Sequence, residues 1–197
     1  MAPSQFGIFT KSDKRFDTPN IEFHIQPLSL DSFGKPLHKF PGLTVSVCNL
    51  RPHSRGTVSL SSSNPFDKPK IAPNYLSDYE DQQVAVESIL KARELMATNE
   101  MAVFEPEEFL PGKNFVKPEE LVQEAGKIST TIFHPVGTAK MGSYDDPMAV
   151  VNEKLKVRGF KNLRVVDGSV MPVITSGNTH TPIVMIAEKA SEMILND

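Results

Sequence analysis

The residues best suited to chemistry in this 197-residue chain lie in its last third, around His134. Pro135 keeps the backbone of His134 out of the α region, and Gly137 permits a turn directly afterwards. The β-prone run over residues 130–133 predicts a short strand that ends at His134. An imidazole held rigidly at a strand end can be aimed at a ligand, and it can accept a proton near neutral pH. Taken alone, however, this pattern favours a structural histidine.

A second polar region precedes a helix near the end of the chain. Residues 163–166 predict a buried strand that ends in a turn of small residues, 167–169, where a ligand can approach the backbone closely. Residues 175–181 lead into a helix for which Thr181 is the expected N-cap and Pro182 the first helical residue. The positive end of that helix favours an electron-rich group. Six apolar residues recur on one face of this helix: Ile183, Ile186, Ala187, Ala190, Met193 and Ile194.

The composition argues against several classes of function. A formal net charge of −3 gives no electrostatic basis for binding nucleic acid or an anionic membrane. No apolar run is long enough to span a bilayer, and no signal peptide follows Met1, so we expect no transmembrane segment. Cys48 is the only cysteine, which precludes an internal disulfide and favours a reducing, cytoplasmic location. The five histidines lack metal-ligand spacing, and we expect no metal site.

The rest of the chain predicts an α+β fold. Residues 1–20 are polar and weakly patterned, whereas residues 21–27 alternate as a half-buried strand. Further strands are expected over residues 43–50 and 56–61, and the short link between them favours their antiparallel pairing.

Two helices are expected in the middle of the chain. Ser77 and Glu80 fit a capping box that opens a helix running to about Ala97. Pro118 begins a second helix, which is expected to end near Gly126.

Five motifs in a fixed order carry a family resemblance: His134-Pro-Val-Gly-Thr-Ala-Lys-Met-Gly142, Ala149-Val-Val-Asn152, Leu163-Arg-Val-Val-Asp-Gly-Ser-Val-Met-Pro172, Ser176-Gly-Asn-Thr-His-Thr-Pro182 and Ile186-Ala-Glu-Lys-Ala190. Together they resemble the carboxyl-terminal part of the glucose-methanol-choline (GMC) flavoprotein oxidoreductases. Upstream, residues 21–38, 51–58 and 71–76 extend the resemblance to nearly all of the chain, most closely to bacterial choline-dehydrogenase-like members.

The resemblance implies a division of the fold. Residues 1–160 are expected to form a portion of the substrate domain, an antiparallel sheet with helices. Residues 161–197 are expected to form the terminal strand-turn-helix segment of an FAD-binding α/β domain. The sequence contains no Gly-x-Gly-x-x-Gly after a strand, the motif that seats the FAD pyrophosphate in the family. We therefore expect the chain to be the last third of a longer protein, with the missing amino-terminal FAD-binding part as its partner.

The resemblance also implies a reaction, the oxidation of a small primary alcohol to an aldehyde with hydride transfer to N5 of FAD. His134 falls on the family's base position, and Asn178 on a position that holds His or Asn and can donate to the substrate oxygen. Residues with implied FAD contacts are Asp167, Gly168, Ser169, Asn178, Thr179 and His180. His180 stands where relatives often carry Asn, a departure that bears on its implied flavin contact. Ala139 stands where many relatives carry Cys, and we expect a packing change there without loss of mechanism.

Several alternatives stay open. Asn178 could be a loop or capping residue, and Asp167 could merely stabilise its own turn. The same fold could serve a hydroxynitrile lyase, with His134 as base and a structural FAD. The chain could also be an inactive truncated fragment or a binding module.

Overall fold

The computed structural model describes residues 4–32 and 34–197. Its strands are β1 (Phe6–Thr10), β2 (Ile21–Gln26), β3 (Thr44–Asn49), β4 (Thr57–Ser59) and β5 (Lys70–Ala72). Its α-helices are α1 (Tyr79–Met96), α2 (Asn99–Ala102), α3 (Pro118–Ile128) and α4 (His180–Leu195). The antiparallel sheets and helices confirm the predicted α+β class. The chain forms two compact units, one from residues up to 55 with 74–130, the other from residues 56–73 with 131–197.

The first unit is built on a three-stranded antiparallel sheet in the order β1-β2-β3. Strand alternation places Ile21 and Phe23 on one face of β2, where both are almost fully buried. They pack with Val84 of α1, and Val47 of β3 borders the same cluster. The alternation predicted over residues 21–27 therefore marks the core face of this unit.

The predicted strand pairing was wrong. We expected β3 and β4 to pair, but β3 pairs with β2, and β4 pairs with β5. In the link between β3 and β4 the buried Asp81 carboxylate instead accepts hydrogen bonds from the backbone N–H groups of His53 and Ser54. Strand β1 was not predicted either, since its aromatic residues Phe6 and Phe9 are exposed and give no core-facing pattern.

The helices of the first unit match the predictions more closely. Helix α1 begins one residue later than the capping box suggested, because Asp78 is its N-cap and the Asp78 side chain accepts from the backbone N–H of Glu80 at 2.8 Å. Helix α3 begins at Pro118 as predicted and continues to Ile128, two residues beyond Gly126. The short helix α2 was not predicted.

The second unit differs from the prediction in its two expected strands. Residues 130–133 are irregular, and Phe133 adopts a left-handed φ of 63°. Residues 163–166 are at most half-buried and form only an isolated bridge, between Lys156 and Arg164. A β-prone run becomes a regular strand only where a neighbouring strand completes its hydrogen bonds, and these two runs have no such ladder among the described residues.

Helix α4 supplies one side of the core of the second unit. Ile186 and Ala190 of α4 are buried against Val151, Val170 and Met171. The helix begins at His180 with Thr179 as N-cap, so the expectation that Thr181 caps it was wrong by two residues. Pro182 does not delay the start, because the first turn of a helix has no intrahelical acceptor for the N–H that proline lacks.

Candidate active site

The site is centred on the imidazole of His134, which lies in the second unit close to the N-terminus of α4. The amide nitrogen Nδ2 of Asn178 lies 3.0 Å from Nε2 of this ring. Asn178 is exposed and His134 is half-buried, so neither side chain is closed off from solvent. The structure thus brings together the two residues that the sequence singled out for proton transfer and hydrogen-bond donation.

Thr179 contacts the other side of the same ring. Its Oγ1 lies 3.0 Å from Nδ1 of His134, and Thr179 is only 3% exposed. Both nitrogens of His134 therefore have polar partners, supplied by two consecutive residues. The resemblance implies an FAD contact for Thr179, whereas its contact with His134 was not predicted, because no spacing rule links the two positions.

The backbone around His134 is held against the turn that precedes α4. Ala139 N–H donates to Ser169 O at 3.0 Å, and Met141 N–H donates to Val170 O at 2.8 Å. Gly137 adopts φ 86°, and a Cβ there would lie 3.3 Å from Met171 O. The predicted turn at Gly137 is present, and it needs a residue that tolerates the left-handed region.

The turn at residues 167–169 forms the start of a 3-10 helix, Gly168–Val170. The Asp167 carboxylate caps it, accepting from the Ser169 backbone N–H at 2.8 Å and from the Ser169 hydroxyl. Gly168 is buried, and a Cβ there would lie 3.1 Å from Cδ1 of Ile183 in α4. The alternative that Asp167 stabilises its own turn therefore has direct support, while its backbone contacts to FAD stay a prediction.

Two other polar residues near the site have different surroundings. His180 is the exposed first residue of α4 and does not share the contacts of its neighbours with His134. Lys140 forms a 2.7 Å ion pair with Asp146. A hydrogen bond from Lys140 is the main cause that lowers the pKa of the Asp146 carboxyl. Lys140 is thus committed to a structural pair, and we assign it no chemistry.

Neither a candidate metal-ligand group nor a membrane-spanning helix occurs in the part of the chain that the structure describes. Within residues 4–32 and 34–197, no three or more His, Cys, Asp or Glu side chains are grouped so that they could hold a metal ion. None of the helices there combines the length and apolar character needed to cross a bilayer.

Comparison with known proteins identifies the family. The model of the GMC oxidoreductase family, for its carboxyl-terminal region, matches residues 52–187, which include every residue of the site described above. The chain belongs to the GMC oxidoreductase family and corresponds to a carboxyl-terminal portion of its members.

Individual relatives agree with this assignment. The chain is 42% identical to an alcohol dehydrogenase (acceptor) of Pseudomonas putida over 98% of its own length and 34% of that protein. It is 41% identical to an oxygen-dependent choline dehydrogenase of Vibrio vulnificus over 95% of its own length and 34% of that protein. The crystal structure of pyridoxine 4-oxidase from Mesorbium loti is similar with a TM-score of 0.88 and 27% identity, over 99% of this chain and 38% of that one. The chain thus spans about a third of the length of these sequence relatives.

Proposed function

We propose that this chain is the carboxyl-terminal portion of an FAD-dependent oxidoreductase that oxidises a primary alcohol to an aldehyde, with His134 as the catalytic base. The observation that carries the proposal is the 3.0 Å contact between Asn178 Nδ2 and His134 Nε2. It pairs a proton acceptor with a fixed hydrogen-bond donor at one accessible point, which is what deprotonation of an alcohol requires. Relatives named as alcohol and choline dehydrogenases support the same reaction class.

A substrate alcohol would use both side chains at once. Its hydroxyl would donate to Nε2 of His134, while its oxygen would accept from Nδ2 of Asn178, replacing the direct contact between the two side chains. As the proton moves to His134, negative charge grows on the substrate oxygen, and the Asn178 amide stabilises that charge. Asparagine suits this position because its amide donates without adding a titrating group.

The residues at the start of α4 fit an electron-rich group such as the carbonyl of a flavin. Thr179 is the N-cap of a 16-residue helix, but its side chain makes no capping bond. The positive end of the helix therefore keeps hydrogen-bonding capacity for a ligand. We propose that Asn178, His180 and the backbone of Thr179, with backbone atoms of residues 167–169, hold the flavin ring. FAD, when bound, supplies the hydride acceptor at N5.

We further propose that residues 161–197 complete an FAD-binding domain whose amino-terminal part lies outside this chain, and that residues 1–160 belong to the substrate domain. The absence of Gly-x-Gly-x-x-Gly from the sequence supports this proposal, since the diphosphate of FAD needs such a cradle. The 197-residue chain expressed alone should accordingly be colourless. Stoichiometric flavin absorbance in the purified chain would contradict it, whereas flavin retained only when the amino-terminal part is supplied would agree with it.

The reaction itself is tested with the complete flavoprotein mixed anaerobically with primary alcohols. We expect the oxidised flavin absorbance to bleach as aldehyde forms. Cleavage of a hydroxynitrile without any bleaching would instead show a lyase, in which His134 serves as base and FAD is structural.

A further inference from the structure

We infer that Thr179 is a positioning residue: its hydroxyl oxygen accepts the Nδ1 proton of His134 and so holds the ring in the tautomer whose Nε2 is the proton acceptor. This inference rests on the proposed function only for its catalytic consequence. The structural observation is a 3.0 Å contact between Oγ1 of the buried Thr179 and Nδ1 of His134, which are 45 residues apart in sequence.

The ordinary role for a threonine at this place in a helix is capping, and Thr179 does not perform it. An N-cap threonine normally accepts a hydrogen bond from a backbone N–H in the first helical turn. Thr179 is the N-cap of α4, yet its side chain makes no such bond. Its hydroxyl lies next to the His134 ring instead, in a residue that is 3% exposed. The helix thus forgoes a stabilising cap, and the hydroxyl is committed to the imidazole.

The two contacts together determine which ring nitrogen carries the proton. The Nδ2 group of Asn178 can only donate, so Nε2 of His134, 3.0 Å away, must be the acceptor and bears no proton in the neutral ring. The proton of the neutral ring is then on Nδ1, where it is donated to Oγ1 of Thr179. A hydroxyl oxygen accepts this bond and keeps its own proton for another acceptor.

The opposite tautomer would lose the contact with Asn178, whereas the Thr179 hydroxyl could still donate to Nδ1. Asn178 therefore selects the tautomer, and Thr179 supplies the acceptor that the resulting Nδ1–H needs. With the proton on Nε2, an N–H group would face the N–H groups of the Asn178 amide, and no lone pair would point to the substrate side. A partner on one ring nitrogen commonly fixes the role of the other nitrogen in this way. Thr179 therefore holds the ring in the tautomer that Asn178 selects, although the Thr179 hydroxyl touches neither the substrate nor the reacting atoms.

The tautomer is measured directly, without flavin or turnover. We would label histidine with ¹⁵N in the 197-residue chain and record long-range ¹H–¹⁵N correlations at about pH 9, where a free imidazole is neutral. His134→Gln identifies the His134 signals among the five histidines. We expect one protonated nitrogen, Nδ1, and one unprotonated nitrogen, Nε2. A proton on Nε2, or signals averaged between the two tautomers, would overturn the inference even if the enzyme oxidises alcohols.

The matched variants are Thr179→Val, which keeps the shape and removes the hydroxyl, and Thr179→Ser, which keeps the hydroxyl. Thr181→Val is the control, because Thr181 is an exposed threonine in the first turn of the same helix. We expect Thr179→Val to convert the His134 signals to a tautomer mixture, and Thr179→Ser and Thr181→Val to leave them as in the parent. An unchanged spectrum in Thr179→Val would overturn the inference.

The catalytic consequence is measured as anaerobic flavin reduction in the complete flavoprotein. We expect Thr179→Val to slow reduction about 10–100-fold, as loss of a partner that orients a functional histidine typically does, with Thr179→Ser close to the parent. If His134→Ala leaves reduction unchanged, the proposed function fails while the tautomer result stands. If His134→Ala slows flavin reduction but Thr179→Val does not, Thr179 has no positioning role, whereas the proposed role of His134 as base stands.

Discussion

The amide nitrogen of Asn178 lies 3.0 Å from Nε2 of His134, although 44 residues separate them in the chain. This contact joins the irregular segment that contains His134 to the residue just before the N-cap of α4. Because the same helix start also supplies Thr179, both nitrogens of the imidazole are bonded from one place. The orientation of the ring therefore depends on these two contacts and on the segment after His134, which is held against residues 169–171.

Replacing Asn178 tests the hydrogen-bond donor. In the complete flavoprotein, Asn178→Ala should slow flavin reduction by about 10²–10³-fold, the usual cost of removing one donor to a developing oxyanion. Asn178→His should retain much of the rate, since a ring N–H can replace the amide donor. Bound FAD, read from the visible spectrum, should be unchanged in both. An alanine variant that is reduced as fast as the parent would return Asn178 to a structural role.

Gly137 tests how tightly the His134 segment is held. Gly137→Ala places a β-carbon at φ 86° and 3.3 Å from Met171 O. Gly34→Ala is the matched control, because Gly34 has the same φ of 86° and no atom within 4 Å of the added carbon. Both variants should lose about 1–2 kcal/mol of unfolding free energy from the left-handed backbone, and Gly137→Ala should lose more.

Urea unfolding of the two glycine variants measures this difference. The ¹⁵N signals of His134 should also shift in Gly137→Ala and stay in place in Gly34→Ala. Equal losses of stability, with no shift in either spectrum, would show that the contact with Met171 does not constrain the segment.

Replacing Asp81 tests the hydrogen bonds that its carboxylate accepts from the link between β3 and β4. Burial opposes ionisation of Asp81, but hydrogen bonds from Ser54 and His53 outweigh it and hold the pKa of the carboxyl below its usual value of 3.8. A lowered folded-state pKa stabilises the fold fully above pH 3.8, and the contribution is lost as pH falls through the folded-state pKa.

Asp81→Asn should therefore cost about 1–3 kcal/mol at neutral pH, with the difference from the parent shrinking in acid. Chemical unfolding of the variant and the parent, from neutral pH down to below pH 3.8, measures the difference in unfolding free energy. The exposed Asp17→Asn serves as control and should change little at any pH. If the difference in unfolding free energy between Asp81→Asn and the parent stayed constant down to the lowest pH, the proposed role of the Asp81 carboxylate would be wrong.

Local sequence signals predicted the features that depend on a few neighbouring residues. The alternation of Ile21 and Phe23, the start of α3 at Pro118 and the turn at Gly137 are set by periodicity or by the restricted backbones of proline and glycine. The ordered motifs around His134 and Asn178 identified the family and the two residues that the structure brings into contact.

Features that depend on distant parts of the chain could not be predicted in this way. Strand β3 pairs with β2, to which a long connection joins it, and not with β4, to which the link is shorter. The alternation of β2 places Glu22 on the predicted polar face. Glu22 is nevertheless only 5% exposed, and its Oε1 lies 3.6 Å from Nε2 of His24. The contact between Thr179 and His134 could not be predicted for the same reason, since only the fold shows that the side chain of this N-cap residue lies against the imidazole.

The most direct test of the account is the reductive half-reaction of His134→Ala in the complete flavoprotein. Anaerobic stopped-flow measurements from about pH 6 to about pH 10 follow flavin bleaching by a primary alcohol. The account predicts intact FAD content and a rate lowered by about 10²–10⁴-fold near neutral pH, the usual contribution of a general base. The loss should shrink as pH rises, because solvent increasingly deprotonates the alcohol. A variant that retains FAD and is reduced at the parental rate would show that His134 is not the base.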